Sequence, residues 1–319
     1  MNKLSAVLNR LFSRPAYYVM VFFLVVLFFV PIVTTDPFVL GVLVLANVYA
    51  VFATSWDILS GYTGKENFGH ALFIGLGAYG AAYFNTLLGV SPWLNLLLGG
   101  LIGAVFGFLI GLPCLPLTGP YLALATVAAA GIAERLTFIF SEVTGGEEGL
   151  YGLDPFTDSP VADFYLSLAL LIIVVITLMA IGYSKKGLVL RSILSDEAAS
   201  EASGIDTNRY KLGAFLVSAF FAGVGGAFYA HYQMYAGPAY LSIILSVSII
   251  IMSMVGGIGT IVGPVLGAYL LTILNEFLRT IGDLRLLVYS GLLVVILLFL
   301  PSGIFATIIE RLPRKSPTG

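Results

Sequence analysis

Charge is scarce in this sequence: of 319 residues only 10% are Asp, Glu, Lys or Arg, 15 basic and 17 acidic, against 59% hydrophobic. A soluble domain carries about a quarter charged residues. Too few are present here to solvate a 34.0 kDa body with a mean hydropathy of +1.01, so a water-soluble enzyme is excluded and most of the surface must face lipid or protein. Cysteine is reduced to Cys114, which excludes an intramolecular disulfide. His70 and His231 are too few to build a His/Cys metal cage. A net charge of -2 supplies no basic field for nucleic acid. Catalytic motifs are missing too: there is no H-E-x-x-H and no G-x-S-x-G, so an intramembrane enzyme has neither metal set nor nucleophile elbow. No G-x-x-x-x-G-K-[ST] occurs. Residues 61–66 resemble one superficially, but Glu66 stands where the magnesium-binding hydroxyl is needed, so the chain itself hydrolyses no nucleotide.

Long apolar runs are abundant. At about 20 residues per crossing they predict an all-α polytopic membrane protein of about ten transmembrane helices, forming one domain over residues 1–319 with no separate soluble part. The predicted crossings are 16–35, 38–60, 68–88, 92–112, 119–140, 164–183, 212–232, 240–255, 260–277 and 286–305.

The few bases are sorted. Lys3, Arg10 and Arg14 precede the first crossing, Lys185, Lys186, Arg191, Arg209 and Lys211 fill the 184–211 loop, and Arg311, Arg314 and Lys315 follow the last. Bases beside a crossing are retained in the cytoplasm. Six crossings separate the first and second clusters and four the second and third, so both termini and the 184–211 loop are expected inside. The acidic 141–163 loop, without a base, is expected outside. Reading the N-terminus as a cleaved signal peptide fails, because the apolar run is too long and lacks a small-x-small cleavage site.

Two segments depart from a plain lipid-facing bundle. One carries Gly61, Gly64, Asn67, Gly69 and His70, and continues through Gly75 to Tyr79. The other carries Gly256, Gly257, Gly259, Thr260, Gly263 and Pro264, and both segments end in Gly-Ala-Tyr. Such spacing permits close helix packing or an interrupted helix that lines a cavity, and both readings stand. Paired Gly-interrupted segments in two halves point to a transport path, for which these residues are the candidates. His70 either contacts substrate or bonds a neighbouring helix, and His231 reads as interfacial.

Within the 184–211 loop, Ser195 reads as an N-cap, Asp196 and Glu197 suit a helix start, and Gly204 is a C-terminal stop. A helix of two turns is unstable alone and needs a surface to dock on. Ala198 and Ala202 present a small flat face, while Glu197 and Glu201 repel unless a cation sits between them.

Together these motifs, with Thr144-Gly145-Gly146-Glu147-Glu148-Gly149-Leu150 and Asn208-Arg209-Tyr210-Lys211, resemble the branched-chain amino-acid ABC transporter permease family, M-type rather than H-type. The likeness runs from about Asn47 to Gly303, with Lys65, Glu66 and Asn67 more charged than the family's usual stretch. It implies an inner-membrane permease subunit pairing with a second permease, two cytoplasmic ATPases and an extracytoplasmic binding protein. ATP and magnesium would be used by those partners and no cofactor by this chain. It further implies that the Asp196–Gly204 helix docks in the ATPase cleft and drives alternating access. The loop at Gly145, Gly146, Glu147 and Glu148 either receives the binding protein or is simply solvated. Family members also import urea and amides. A self-contained secondary transporter would instead need ionisable groups within the membrane, and Asp57, Glu134 and Glu276 are the candidates, read as end-of-helix or paired residues.

Overall fold

The computed structural model describes residues 15–117, 120–279, 291 and 303–305. They are almost entirely helical. α1 (Pro15–Val33), α2 (Pro37–Thr63), α3 (His70–Leu88), α4 (Pro92–Cys114) and α5 (Tyr121–Ile139) follow in sequence, then a single turn, α6 (Ser141–Thr144). After α7 (Pro160–Gly182) come two short helices, α8 (Lys185–Ser195) and α9 (Glu197–Ala202), and then α10 (Thr207–Gln233), α11 (Ile243–Gly256) and α12 (Val262–Leu278). A two-residue antiparallel pair joins β1 (Leu150–Tyr151) to β2 (Tyr235–Ala236), with Leu150 opposite Ala236.

Helix boundaries follow local chemistry. Proline occupies a first-turn position in α2, α4 and α7, where its missing N–H would have had no partner. The Asp36 carboxylate caps α2 by accepting the Phe38 N–H at 2.9 Å. Gly64, at φ 69°, ends α2 in the left-handed conformation that glycine adopts without penalty.

Among the described residues, six helices are long and apolar enough to cross a bilayer: α2, α3, α4, α5, α7 and α10. This makes the chain a multi-pass membrane protein, while the expected ten crossings are not all matched by full-length helices. α11 and α12 have 14 and 17 residues, about 21 and 26 Å at 1.5 Å per residue, each short of a hydrocarbon core of about 30 Å. The expected crossing 240–255 begins later than drawn, because Pro238–Leu241 forms a 3-10 turn before α11. The crossing 286–305 and the terminal basic clusters lie outside the described residues, apart from Gly291 and Gly303 to Phe305.

α10 is the central post, packed on α2, α3 and α4, with α12 and α7 also packed against α2 and α7 touching α10. The buried stripe of α4 consists of Asn95, Gly99, Gly100, Gly103, Gly107 and Gly111, while Leu94, Leu97, Leu101, Val105, Phe108 and Leu112 point outward. Large apolar residues face lipid and small ones face the partner helix, because lipid tails leave close packing as the attraction between helices. A β-carbon on Gly99 would stand 2.6 Å from that of Ala227, and one on Gly225 2.7 Å from the Phe52 ring.

The 141–163 loop is tied down rather than free. Asp154 exchanges hydrogen bonds with Asn85 at 2.8 and 2.9 Å, and its carbonyl lies 2.7 Å from His231 Nδ1. His231 is fully buried with Asn95 on its other nitrogen, which corrects the interfacial reading.

Glycine packing at the α4–α10 seam generates a prediction. Gly99→Val is expected to destabilise by about 1–3 kcal/mol through overpacking, read as a lower melting temperature in detergent. Gly131→Ala, where a β-carbon meets nothing within 4 Å, should melt like the parent or slightly higher.

Candidate functional site

The last two turns of α2 carry Trp56, Asp57, Ser60 and Thr63, spaced so that they share one helix face. From Thr63 the chain does not continue outward but folds back along α2. His70 Nε2 lies 3.0 Å from Ser55 Oγ, eight residues before the end of α2, so α3 begins about 12 Å back along that helix. Non-helical backbone at such depth is tolerated only if its polar groups find partners inside the protein. The partners come largely from α2: Trp56 Nε1 donates to the Asn67 carbonyl at 2.7 Å, Ser60 Oγ donates to the Lys65 carbonyl at 3.0 Å, and Thr63 Oγ1 accepts the Lys65 N–H at 3.3 Å. Asn67 Oδ1 accepts from the Gly69 N–H at 2.9 Å, and Thr126 of α5 accepts from Phe68 at 3.2 Å.

A second break, residues 257–261, separates α11 from α12 and meets the same face. Fully buried, Asp57 accepts the Gly259 N–H at 2.6 Å on Oδ1 and the Ile261 N–H at 3.0 Å on Oδ2. Ile261 is held at φ 65°, a left-handed conformation that a β-branched residue adopts only when its surroundings impose it. Thr260 completes the turn, with Oγ1 accepting the Gly263 N–H at 2.9 Å. A β-carbon on Gly61 would sit 2.5 Å from the Gly259 nitrogen, so the two glycine clusters predicted from sequence touch one another. The same break is gripped from α8. Arg191 donates to Tyr62 Oη at 3.0 Å and to the Gly259 carbonyl at 3.4 Å, and its guanidinium lies 4.7 Å from the Tyr62 ring centroid.

The predicted path residues therefore occupy several kinds of position. Gly61 and Gly259 form the contact between the two glycine segments, while Gly256, Gly257, Thr260 and Gly263 pack on one another within the second, Gly256 directly on Gly263 and Pro264. Gly69 abuts the Thr126 carbonyl, Gly75 abuts Leu241, and Gly64 is the exposed cap of α2. Asn67 and His70 are buried, Tyr79 is half-buried, and one polar atom of each has no hydrogen-bond partner among the described residues.

Where sequence reading placed one short helix capped by Ser195, there are two helices sharing a corner. Asp196 ends α8 and caps α9 by accepting the Ala199 N–H at 2.9 Å, because its side chain reaches the amide three residues on. Ser195 is the last residue of α8, and Gly204 follows α9 at φ 83°. Glu197 and Glu201 point toward their own fold: Glu197 pairs with Lys211 and, at 3.2 Å, with Lys65, while Thr207 Oγ1 donates to Glu201 at 2.6 Å. Lys211 is 2% exposed. Ala198, Ala199 and Ala202 remain exposed, so the small flat face is real. Burial pushes the Glu197 carboxyl up, but the two lysines outweigh it and hold it below the usual carboxylate range.

At the other end of the bundle, Glu147 and Glu148 are exposed on a turn made by Gly145 and Gly146, both at positive φ. Glu276 pairs with Arg279 at 3.0 Å, as expected of an end-of-helix acid. Glu134 forms no ion pair among the described residues. Asp57 is the exception to the end-of-helix reading, and its polar stripe with Trp56, Ser60 and Thr63 was the signal in the sequence. Arg191, Lys65 and Lys211 had none, because their partners are 68, 132 and 14 residues away.

Residues 38–300 match the family described as branched-chain amino acid transport system / permease component. Among curated proteins, the chain is 29% identical to the high-affinity branched-chain amino acid transport system permease protein LivM of Salmonella typhimurium, over 84% of this chain and 70% of that one. Its identity to LivM of Escherichia coli is also 29%, over 85% and 71% of the two chains. The nucleoside ABC transporter permease protein NupC of Lactococcus lactis is 25% identical over 62% of this chain and 69% of that one. No solved structure matches.

Two outcomes follow from this geometry. Asp57→Ala strands the Gly259 and Ile261 N–H groups and should cost about 1–3 kcal/mol for each, with Asp57→Asn intermediate, as read by melting in detergent; parental melting of both would show that the carboxylate does not hold the break. Because the Glu197 carboxyl lies below its unfolded value, its contribution is full above that value and is lost as pH falls through the folded one. Amide exchange of α9 is expected to quicken on acidification through that range, and not in Glu197→Gln.

Proposed function

The chain belongs to the family of branched-chain amino acid transport system permease components, and from that membership we propose that it is the membrane subunit through which an ATP-driven importer passes branched-chain amino acids. It is a transport subunit rather than an enzyme. In this reading it sits in the inner membrane with about ten crossings, both termini and the 184–211 loop in the cytoplasm and the 141–163 loop outside. A second, related permease completes the membrane portion, two ATPases bind from the cytoplasm and hydrolyse ATP with magnesium, and a binding protein delivers substrate to the Gly145–Glu148 turn. This chain itself needs no cofactor.

The observation that carries the mechanism is the grip on the 257–261 break. Asp57 of α2 holds its N–H groups while Arg191 of α8 holds its Gly259 carbonyl. α8 and α9 move as one piece, joined at Asp196 and by the Ser192–Ser200 contact at 3.3 Å. ATP-driven closure of the partner subunits on the exposed Ala198 and Ala202 face displaces that piece, and Arg191 passes the displacement to the break. The seam of Gly61, Gly259 and their neighbours then parts and re-forms, opening a path past Asn67 and His70 alternately to each side. A switch needs a two-state element that both sites bias, and the strained Ile261 turn is suited to that role.

A second substrate reading, other small metabolites, is favoured by the nucleoside permease among the relatives. Competition of labelled leucine uptake by unlabelled leucine and by nucleosides separates the two.

The docking face supplies the direct test of coupling. Ala198→Arg with Ala202→Arg leaves every intramolecular bond of α9 in place, so the chain should fold and melt as the parent. Uptake by the reconstituted importer should fall by about tenfold or more, as for a central interface residue, while ATP hydrolysis persists. Parental uptake would overturn the docking role. Glu197→Arg, by contrast, should lower the melting temperature, because it breaks pairs internal to the fold.

A further inference from the structure

Between α7 and α10, against α8, lies a groove of about 470 Å³ that the transport mechanism leaves unused. Its polar mouth carries Lys186 and Arg209, and its depth carries Leu190, Tyr210, Gly213 and Val217. Lys186 and Arg209 are exposed and enter no ion pair among the described residues. Asp206, also at the mouth, is engaged as the cap of α10, accepting the Arg209 N–H at 3.1 Å. The mouth is therefore net positive, with two free cations against one committed carboxylate.

Depth and shape are informative. Asp206, Tyr210, Gly213 and Val217 follow one face of α10. The eleven steps from Asp206 to Val217 rise about 16 Å along the helix, against a hydrocarbon core of about 30 Å. With the crossing drawn from residue 212, Val217 lies about 8 Å into that core, so the groove is charged at the membrane surface and apolar through the first quarter of the bilayer. Gly213 keeps it open. The other glycines of α10 are each required by a neighbour: Gly223 by the α4 backbone, Gly225 by Phe52 and Gly226 by the Ile74 carbonyl. A β-carbon on Gly213 would meet nothing within 4 Å, so a residue that weakens a helix stands where this chain makes no demand for it.

We propose that the groove binds an anionic phospholipid of the leaflet beside the 184–211 loop, with its phosphate between Lys186 and Arg209 and an acyl chain along Gly213 toward Val217. This rests on the reading in which α7 and α10 cross the bilayer and that loop is cytoplasmic. A neutral lipid fits the length of the groove but leaves its two cations uncompensated, so charge selects the anionic headgroup. Leu190 forms part of the wall and the next residue, Arg191, grips the 257–261 break. A lipid seated here therefore braces the helix that carries the coupling motion.

The full chain, released from detergent with phosphatidylglycerol or phosphatidylcholine added, is examined by native mass spectrometry. Retention of phosphatidylglycerol is expected to exceed that of phosphatidylcholine by about tenfold, and Lys186→Gln with Arg209→Gln should bring the two together. Gly213→Leu fills the groove without touching either charge and should cut phosphatidylglycerol retention by a similar factor at unchanged melting temperature. Arg135→Gln, remote on α5, should leave it unaltered. Equal retention of the two lipids by the parent overturns the proposal, as does retention indifferent to the groove variants or lost equally with Arg135→Gln. If, in the same measurement on the importer assembled with its ATPases, Gly213→Leu instead releases the partner ATPase while lipid retention persists, the groove belongs to a protein contact and the proposal is likewise overturned. Failure of the Ala198 and Ala202 test would leave this lipid selectivity standing, so the two readings fail separately.

Discussion

Backbone amides that lie at membrane depth without helical partners must be satisfied by something within the protein, and here the final two turns of α2 do most of that work. Trp56, Ser60 and Thr63 serve the 64–69 return, and Asp57 serves the 257–261 turn. One helix face therefore organises both interruptions of the bundle. A buried carboxylate is unfavourable unless its oxygens accept hydrogen bonds, and the two N–H groups it receives would be equally unfavourable alone. Each makes the other tolerable, which is why this acid can stand fully buried.

The same economy governs the charges of the 184–211 loop. Lys211 is almost fully buried and has Glu197 as its counter-ion, and Lys65 reaches the same carboxylate from the 64–69 return. The short helices are thereby joined to α10 on one side and to the first break on the other, while Arg191 joins them to the second. Motion imposed on α9 has firm attachments to both breaks. What remains outward on α9, apart from Glu201, is alanine, whose side chains have no internal bond to lose.

Glycine does two different jobs that composition cannot separate. Along α4 it is absent bulk, letting α10 approach until backbones nearly touch, while large residues turn to lipid. In the breaks it is conformation, with Gly259 at φ 76° supplying a turn that most residues would resist. Gly213 answers to neither reason, which draws attention to the space beside it.

The helical membrane architecture, the positions of six of the drawn crossings, the family and the small-residue face at Ala198 and Ala202 were legible in the sequence, because hydrophobic run length, glycine spacing and capping chemistry are local properties. That the two glycine clusters form a pair was legible; that they touch was not, since contact between Gly61 and Gly259 depends on how three helices pack. Sequence also misassigned the cap of α9 by one residue and the surroundings of His231, where neighbours distant in the chain decide. The partners of Glu197 and the placement of Asp57 against the Gly259 and Ile261 amides are matters of tertiary structure alone. A charge in a membrane protein takes its role from what is brought beside it, and local pattern does not carry that information.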